Sequence, residues 1–529
     1  MIAQLPALQV VVPLICAGVC IMPRSAVAGW LVYAFAALAT LASAVLLTAQ
    51  VYSDGAVHYA MGGWPGPVGI DLVIDRANVP VLLLLGTIAV IVAGYARRSI
   101  EAEINHRRIP MFYASMCLML TGLLGIAVTG DAFNLFVFLE ISSLSSYALI
   151  AMGRRRRALL AAFQYLIIGT VGGTFVLLGV GLTYAVTGTL NMADLGSRLP
   201  DVYGNEALTA AVLFVFIGLA IKIAIFPLHA WLPGAYGEAP SAISVMLAAT
   251  GTKVALYAFA RFAFSVYGAG FVFETLPVRE IGLIVASATM LIAAAVACFQ
   301  HDMRRLLAWS SISQVGMILA GVMLATAGGV SAAYLHLMNH AIIKAALFCV
   351  AGIAMLRLGS TSLPALAGLG RRMPLTFAAI IVAGLGLIGV PPTAGFVSKW
   401  ALAVAMEDEG QWVVLAVLLI SSLLALVYVG RLIEVGWFRE PPGESWPPEE
   451  QPQPVAKEAA TAQEPAATET LVATRQPNPA RNTTSDRTPP SMAVATALLV
   501  LATLYFGIDA SLLSSLADGA AAVLTGGGR

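Results

Sequence analysis

Long apolar segments dominate this chain of 529 residues and restrict the architectures that it can adopt. Hydrophobic residues make up 59% of the sequence and charged residues only 11%, whereas soluble globular proteins carry about 25% charged residues. A segment of about 20 apolar residues crosses a bilayer as a helix, because lipid cannot satisfy exposed backbone groups. The sequence therefore predicts an all-α polytopic membrane protein.

Fourteen segments are long and apolar enough to be candidate spans. They cover residues 7–23, 27–48, 79–96, 111–129, 132–152, 158–186, 207–232, 239–266, 281–299, 305–326, 331–357, 375–404, 412–437 and 492–514. No cleavable signal peptide is evident, since the first apolar segment reads as a retained span.

Arginine is distributed unevenly between the loops, and this unevenness predicts the orientation of the chain. Loops after even-numbered spans carry few arginines and many acids. Because positive residues concentrate on the cytoplasmic side, we expect the loops after odd-numbered spans to be cytoplasmic and both termini to be outside. The arginines of those odd-numbered loops are Arg24, Arg97, Arg98, Arg107, Arg108, Arg154 to Arg157, Arg304, Arg305, Arg357, Arg371 and Arg372.

Prolines interrupt two of the predicted spans. Pro227 lies in the seventh span, and Pro391 and Pro392 lie in the twelfth. Proline removes a backbone donor, and the interruption is tolerated at membrane depth only where protein or water surrounds it. The interruptions are five spans apart, which predicts two five-helix repeats, spans 4–8 and 9–13. Such repeats run in opposite directions because five is odd, and broken helices in inverted repeats are typical of transporters.

These features divide the chain into five expected regions. Residues 1–110 hold spans one to three and an external loop, residues 111–266 the first half-channel repeat, and residues 281–437 the second. Residues 438–490 are rich in Pro, Glu, Ala, Thr and Gln, a composition that predicts a disordered cytoplasmic linker. Residues 491–529 hold the last span and the C-terminus.

The lysines are concentrated in the apolar segments. Lys222, Lys253, Lys344 and Lys399 lie inside predicted spans, and only Lys457 lies in the polar linker. A buried lysine can release its proton when it is desolvated, whereas arginine stays charged. The placement of lysine therefore indicates sites where a proton can come and go, and it favours ion translocation.

Glu140 lies in the middle of the fifth span and is the deep acid that complements these lysines. A charge at the centre of a bilayer costs about 2.5–3.5 kcal/mol on the insertion scale, so such groups must be paired, hydrated or neutralised. We expect Glu140 to pair with Lys222 in at least one state. The alternative interpretation is that each charge belongs to a structural ion pair between helices.

The eleventh span carries His336, His340 and Lys344 at steps of four residues. This spacing places the three side chains on one helix face, where they could support a hydrated proton wire. A structural stripe is one alternative. A metal site is another, although the zinc-protease pattern requires Glu directly after the first histidine and residue 337 is Leu. His229, next to the first interruption, is a gate, a relay or a hydrogen-bonded cap.

The sequence gives no indication of a cofactor, a metal or a nucleic-acid partner. The cysteines lie in apolar segments without a CxxC pair, and no basic stripe with interleaved aromatic residues is present. An iron–sulfur cluster and a disulfide framework are therefore not expected. The five cysteines are Cys16, Cys20, Cys117, Cys298 and Cys349.

Several longer motifs resemble the antiporter-like membrane subunits shared by Mrp-type cation/proton antiporters, respiratory complex I and membrane-bound hydrogenases. The resemblance extends from about residue 60 to 437, and within the family the chain is most similar to the D-type subunits of Mrp Na⁺/H⁺ antiporters. The segments that support this subtype are Met61–Ile70 and the residues that precede Glu140. The motifs are Asp131–Glu140, Phe226–Pro233, Glu238–Ser241, Asp302–Ser311, His336–His340 and Gly389–Lys399.

The resemblance implies roles for the buried charges. Glu140 and Lys222 would form the acid–base pair of the first half-channel, Lys253 would connect the two halves, and Lys399 would serve the exit half. His336, His340 and Lys344 would continue the axis between them. Apart from the resemblance, the position of Pro227, Pro391, Pro392 and His229 at the interruptions makes them candidate gate or relay residues.

Three functions remain open on the sequence. The leading hypothesis is a transporter subunit, not an enzyme, that exchanges cytoplasmic Na⁺ or another monovalent cation for external protons. It would sit in the bacterial inner membrane among other antiporter subunits and lipid. The second is a proton-pumping subunit of a redox complex of the complex I or hydrogenase type, and the third is a scaffold whose buried charges act only as electrostatic couplers.

Overall fold

The structure is a computed structural model, and it describes residues 4–23, 25–441 and 488–526. Eight helices precede the first interruption in the described part of the chain. They are α1 (Leu5–Ile21), α2 (Ala26–Asp54), α3 (Val79–Glu103), α4 (Ile109–Val128), α5 (Ala132–Ala151), α6 (Arg156–Thr187), the short α7 (Met192–Arg198) and α8 (Glu206–Ile223).

Twelve further helices follow among the described residues. They are α9 (Leu232–Glu238), α10 (Ser241–Ala249), α11 (Gly251–Ala260), α12 (Val278–Cys298), α13 (Met303–Met323), α14 (Ala327–Leu358), α15 (Leu369–Arg372), α16 (Pro374–Ile388), α17 (Ala394–Asp408), α18 (Trp412–Phe438), α19 (Pro490–Ile508) and α20 (Ser511–Leu524).

The predicted helical membrane architecture is confirmed, although the predicted number of fourteen spans is not established. Twelve helices in the described part of the chain are long and apolar enough to cross a membrane, or thirteen if the bent pair Pro364–Arg372 and Pro374–Ile388 is counted as one. Two of the predicted spans contain no single helix that is long enough to cross a membrane. The first is α1, which has 17 residues, and the twelfth is divided into α16 and α17 with 15 residues each.

A small sheet is the exception to the predicted all-α fold. Strands β1 (Val57–Ala60) and β2 (Asp71–Ile74) pair antiparallel between α2 and α3, with Val57 opposite Ile74. Four-residue strands are too short to produce a clear alternation of polar and apolar residues, and this explains why the sequence did not predict them.

The loops form two groups, one on each side of the bundle. Loops of the same group contact one another. On one side, the loop after α2 bonds to the loop after α4 through Gly130 N and Asp71 O at 2.8 Å, and Arg279 bonds to Glu409 at 2.9 Å. On the other side, Arg154 bonds to the carbonyl of Ile104 at 3.1 Å. This separation agrees with the alternation of even-numbered and odd-numbered loops in the sequence.

Among the described residues, two spans are interrupted at the predicted prolines, and a third span has a one-residue break. α8 ends at Ile223 and the chain turns before α9, and α16 and α17 are separated by residues 389–393, as the prolines indicated. The additional interruption is at Thr250, which separates α10 from α11 at φ −123° and ψ −53°. This break is limited to one residue, and Ser241–Val266 remains a single span of 26 residues. The last predicted span also ends earlier, at Ile508, and is followed by the separate α20.

Several features of the two predicted five-span repeats recur at a constant spacing, while the repeat itself stays a prediction. Asp131 caps α5 and Asp302 caps α13, 171 residues later. α6 and α14 both have 32 residues and begin 171 residues apart, and each ends at a glycine with positive φ. Each aspartate also forms a bridge to the loop after the following long helix, Asp131 to Asn191 and Asp302 to Ser362. The matching aspartates lie on opposite sides of the bundle.

Burial is greatest in the eighth span, which carries Lys253, and in α13. In the most apolar stretch of Ser241–Val266 and of α13, 94% of the residues are buried. The corresponding fraction is 39% for α2, α6 and α12. α10, α11 and α13 therefore lie at the centre of the bundle, and α14 packs against α10 and α13. The predicted linker at residues 438–490 lies for the most part outside the described residues.

Candidate functional site: a buried row of ionisable side chains

Glu140 and Lys222 form the ion pair that the sequence predicted. Lys222 Nζ lies 3.0 Å from Glu140 Oε1, so that the pair joins α5 to α8. The Lys222 ammonium also donates to Ser143 Oγ at 2.9 Å. The lysine side chain is 5% exposed and the glutamate side chain 20%. A pair this deep stabilises both charges, because neither group has enough water to be solvated alone.

The surroundings of the Glu140–Lys222 pair leave room for its carboxylate and for water beside its ammonium group. Gly173 on α6 leaves the space that the carboxylate occupies, since a Cβ atom at Gly173 would lie 2.1 Å from Glu140 Oε1. A cavity of about 40 Å³ adjoins Lys222 and is lined by Ser142, Ser146 and Tyr165 among others. This volume is sufficient for water between polar side chains.

Lys253 follows the interruption at Thr250 and is completely buried. Its ammonium donates to the carbonyl oxygen of Ala248, at the end of α10. The last carbonyls of a helix have no partner within the helix, and the negative end of the helix dipole attracts a cation there. The interruption therefore creates the acceptor that holds this lysine at the centre of the bundle.

The histidines and the lysine of α14 occupy one face, as their spacing predicted. His336 Nδ1 lies 2.9 Å from Ser398 Oγ, and its Nε2 lies 3.1 Å from Gln314 Oε1. The rings of His336 and His340 are 6.0 Å apart and nearly parallel. Both ring nitrogens of His340 are buried and have no hydrogen-bond partner in the described part of the chain.

Lys344 and Lys399 are both held by backbone carbonyls and a serine. Lys344 donates to the carbonyl of Leu307 at 3.0 Å and also to Ser310 Oγ. Lys399 Nζ lies 2.9 Å from the carbonyl oxygen of Leu387, 3.0 Å from that of Ile388 and 3.1 Å from Ser422 Oγ. Those two carbonyls end α16, so the second proline interruption provides a cation site of the same kind as the one at Lys253.

The gate and relay candidates lie at the two proline interruptions. His229 is adjacent to Phe226 and Trp309, with ring centroids 5.4 and 5.0 Å away, and its buried Nδ1 has no partner among the described residues. Pro227 lies in the turn between α8 and α9, where Trp231 Nε1 donates to the carbonyl of Ile221 at 2.9 Å. Pro391 and Pro392 lie in the turn between α16 and α17.

The structure brings the predicted residues together as two adjoining groups. His340 lies within electrostatic range of Lys253, Lys344, His336 and Lys399. The second group is the Glu140–Lys222 pair, whose cavity is also lined by Leu247, Gly251 and Ala255 of the helices α10 and α11. In the described residues, no three side chains of His, Cys, Asp or Glu converge in a way that could hold a metal ion.

Serines and one glutamine complete the row, and sequence reasoning missed all of them. Ser143, Ser310, Ser398 and Ser422 each contact one of the predicted ionisable residues. Gln314 contacts His336. Serine in a membrane helix commonly bonds to its own preceding turn, so its identity alone does not indicate a function. The available signal was position, because these serines lie mid-span and one is three residues from Glu140.

Comparisons with known proteins agree with this arrangement. Residues 129–425 match the family model described as NADH:quinone oxidoreductase/Mrp antiporter, TM. The chain is 42% identical to NADH-quinone oxidoreductase subunit N of Desulforudis audaxviator over 83% of this chain and 87% of that protein. It is 32% identical to the D-type subunit of the Na(+)/H(+) antiporter of Bacillus subtilis over 75% of this chain and 79% of that protein.

A solved structure is similar over almost the whole length. It is the Mrp complex from Dietzia sp. DQ12-45-1b, with a TM-score of 0.84, 29% sequence identity, and coverage of 99% of this chain and 97% of that one. The family model matches more than half of the chain, and it includes every one of the ionisable residues described above. The chain therefore belongs to the NADH:quinone oxidoreductase/Mrp antiporter transmembrane family.

Proposed function

We propose that this chain is the proton-translocating membrane subunit of a multisubunit monovalent cation/proton antiporter, which exchanges cytoplasmic Na⁺ for external protons. The observation that carries the proposal is the buried row from Glu140 and Lys222 to Lys399. Every lysine in this row donates to a carboxylate or to a neutral oxygen inside the bundle. The similarity to an antiporter subunit of the D type and to an Mrp complex supports the same function.

The proposed path has a chemical logic that follows from its contacts. A lysine held by backbone carbonyls can lose its proton without leaving an unpaired anion, because its acceptors are neutral. A lysine paired with a carboxylate keeps its proton more firmly, because the two charges stabilise each other. The Glu140–Lys222 pair would therefore retain its proton. Lys253, His340 and Lys344 could pass a proton on when a neighbouring charge changes.

In this proposal the chain performs transport and no redox chemistry of its own. It is embedded in the bacterial inner membrane, surrounded by lipid, and assembled with other antiporter subunits. The arginine-rich loops after odd-numbered spans face the cytoplasm, and both termini face the outside. Protons and Na⁺ are the proposed transported ions.

The decisive variant is Glu140→Gln, measured as cation-dependent proton movement in everted membrane vesicles that contain the whole complex. We expect proton movement to fall at least about tenfold, which corresponds to a barrier increase of about 1.4 kcal/mol. Glu434→Gln is the matched control, because Glu434 lies near the end of α18 and pairs with the exposed Arg439. Unchanged proton movement in Glu140→Gln vesicles with normal amounts of the complex would contradict the proposal.

The second candidate function is a proton-pumping subunit of a redox-driven complex, with a proton path of the same residues. The 42% identity to a subunit of an NADH-quinone oxidoreductase favours it. Purification of the intact complex from native membranes separates the two candidates. Small hydrophobic antiporter subunits would support the first, whereas iron–sulfur or nickel proteins would support the second.

A third candidate, a scaffold with purely electrostatic charges, predicts that Lys399→Ala leaves transport intact. The proposed path predicts that this variant loses transport in the same vesicles. Complex levels must be equal in the two preparations, since Lys399 also holds the end of α16.

A further inference from the structure

A polar column leads from Lys253 toward the side of the bundle that carries the β-hairpin. Lys253, Tyr257 and Arg261 follow one another at steps of four residues and therefore lie on one face of the eighth span. The eight residues from Lys253 to Arg261 correspond to a rise of about 12 Å. The column connects the buried row with the region where burial ends, since Arg76 next to Asp75 is exposed.

Arg261 is fixed at the end of this column by two partners. Its Nη2 lies 2.8 Å from Asp75 Oδ1 and 3.1 Å from Tyr257 Oη, and its Nε lies 3.2 Å from the same hydroxyl. Tyr257 Oη in turn donates to the carbonyl of Ala127 at 3.0 Å. The Arg261 and Asp75 side chains are 13% and 11% exposed. The guanidinium is therefore immobilised across the end of the column.

Asp75 stays ionised and keeps Arg261 in place. Burial by itself raises the pKa of the Asp75 carboxyl, but the charge of Arg261 and the hydrogen bonds from Arg261, Asn78 and Ala77 outweigh this effect and hold the pKa below its ordinary value. Asp75 Oδ1 accepts from the backbone nitrogens of Ala77 and Asn78 at 2.9 and 3.1 Å. The ion pair is thus intact at neutral pH.

Near the Arg261–Asp75 pair lies a hydroxyl that has no hydrogen-bond partner in the described part of the chain. Tyr334 Oη on α14 is buried and has no hydrogen-bond partner among the described residues. It lies within electrostatic range of Tyr257, Arg261 and Asp75. A buried hydroxyl that lacks a protein partner is a group that a bound water would satisfy, and this hydroxyl adds a further polar group beside Arg261.

α20 covers the same region from outside. It packs on α14, on α3 and on the π-helical segment Arg261–Val266 that begins at Arg261. Asp518 on α20 accepts a hydrogen bond from the hydroxyl of Ser331 on α14. A charged column that ends beneath a covering helix is suited to closing a route.

We propose that the Arg261 guanidinium, positioned by Asp75 and Tyr257, is an electrostatic seal that prevents protons and cations from passing between Lys253 and the hairpin side of the membrane. A fixed arginine repels protons and cations in a narrow polar passage, and arginine does not lose its charge under physiological conditions. This inference rests on the proposed ion path. In it, Arg261 prevents ions from leaking between that path and the hairpin side of the membrane.

The test compares charge variants in everted vesicles that contain the intact complex, with an imposed pH gradient and no transported cation. The double variant Asp75→Asn/Arg261→Gln removes both charges and leaves no unpaired buried ion. We expect its pH gradient to decay at least about fivefold faster than that of the wild type, because the positive barrier is lost. Arg261→Lys keeps the charge and should retain the gradient.

Asp75→Asn alone distinguishes a seal from a structural anchor. This variant leaves the positive charge in place, so the gradient should decay as slowly as in the wild type even if less complex is assembled. A double variant as tight as the wild type, at equal complex levels, would overturn the proposal. Equal leakage by Asp75→Asn and the double variant would also overturn it, because packing of the hairpin would then explain the effect.

The leak assay is independent of the proposed exchange activity. A leaking double variant together with unimpaired exchange by Glu140→Gln would leave the seal standing and remove the proposed function. A double variant that keeps its pH gradient, together with loss of exchange in Glu140→Gln, would remove the seal and leave the proposed function standing. The two failures therefore give different results.

Discussion

At the scale of single residues, the Glu140–Lys222 pair depends on the absence of a side chain at Gly173. The Glu140 carboxylate occupies the space that a Cβ atom would need, and the closest approach would be 2.1 Å. Because real Cβ atoms do not approach so closely, any larger residue must displace the carboxylate from Lys222. The geometry of the ion pair thus depends on a residue of a third helix that carries no charge.

Gly173→Ala should therefore impair transport without removing any ionisable group. We expect cation-dependent proton movement to fall about tenfold, equivalent to a barrier increase of about 1.4 kcal/mol. Gly181→Ala on the same helix is the matched control, since a Cβ there meets no atom within 4 Å. Equal transport rates of the two variants would mean that the carboxylate can move without loss of function.

The ionisable residues of the row could be predicted from the sequence, but most of their contacts could not. A charge in an apolar segment is conspicuous because its burial is costly, and this singled out Glu140 and the four lysines. The acceptors of Lys253, Lys344 and Lys399 are largely backbone carbonyls, which every residue possesses. Their availability depends on where a helix ends, and only the folded structure reveals that.

At the scale of helices, each interruption frees backbone groups that must find new partners. In the first interruption, the carbonyl of Ile221 accepts from Trp231 Nε1 at 2.9 Å. The Trp231 ring also stacks on Tyr165, with centroids 3.9 Å apart. The tryptophan therefore closes the broken end of α8 with a hydrogen bond and with packing.

Trp231→Phe separates these two contributions, because phenylalanine retains a ring for stacking but has no donor. An unsatisfied buried acceptor costs about 1–3 kcal/mol, so we expect the thermal denaturation midpoint of the purified complex to fall by several degrees. Trp400→Phe is the control, because Trp400 is 62% exposed and should leave the midpoint unchanged. Equal midpoints for both variants would show that the carbonyl finds another donor.

The prolines allowed two interruptions to be predicted, whereas the third had no comparable signal. Proline has no backbone donor, so it marks a break in a helix directly. Thr250 retains its donor, and its side chain bonds to the carbonyl of Met246 within the same helical turn. The backbone angles that separate α10 from α11 are imposed by packing at the centre of the bundle, which local sequence does not encode.

At the scale of the whole molecule, arginine placement predicted which loops share a side. Loops after even-numbered spans contact one another in the structure, and loops after odd-numbered spans do so on the opposite side. The number of spans was harder to predict than the alternation of the loops between the two sides. The twelfth span, for example, is divided into two apolar helices, and neither is long enough by itself to cross a membrane.

The predicted orientation can be measured with single cysteines introduced on the two sides. Val68 is 84% exposed in the loop between β1 and β2, and His106 is exposed after α3. In intact cells, a membrane-impermeant thiol reagent should label Val68→Cys and not His106→Cys, because the arginine-rich loops are cytoplasmic. The unmodified chain is the control, since its cysteines lie in helices and four of the five are buried. Reversed labelling would contradict the orientation.

The constant spacing of 171 residues between the two halves restricts how the length of this chain can change. An inserted residue turns the rest of an α-helix by about 100° relative to what precedes it. One residue added early in α6 would rotate Gly173 away from Glu140, and one added early in α14 would rotate Lys344 away from Ser310. Both long helices are therefore places where length is fixed, and tolerated insertions belong in loops such as that between β1 and β2.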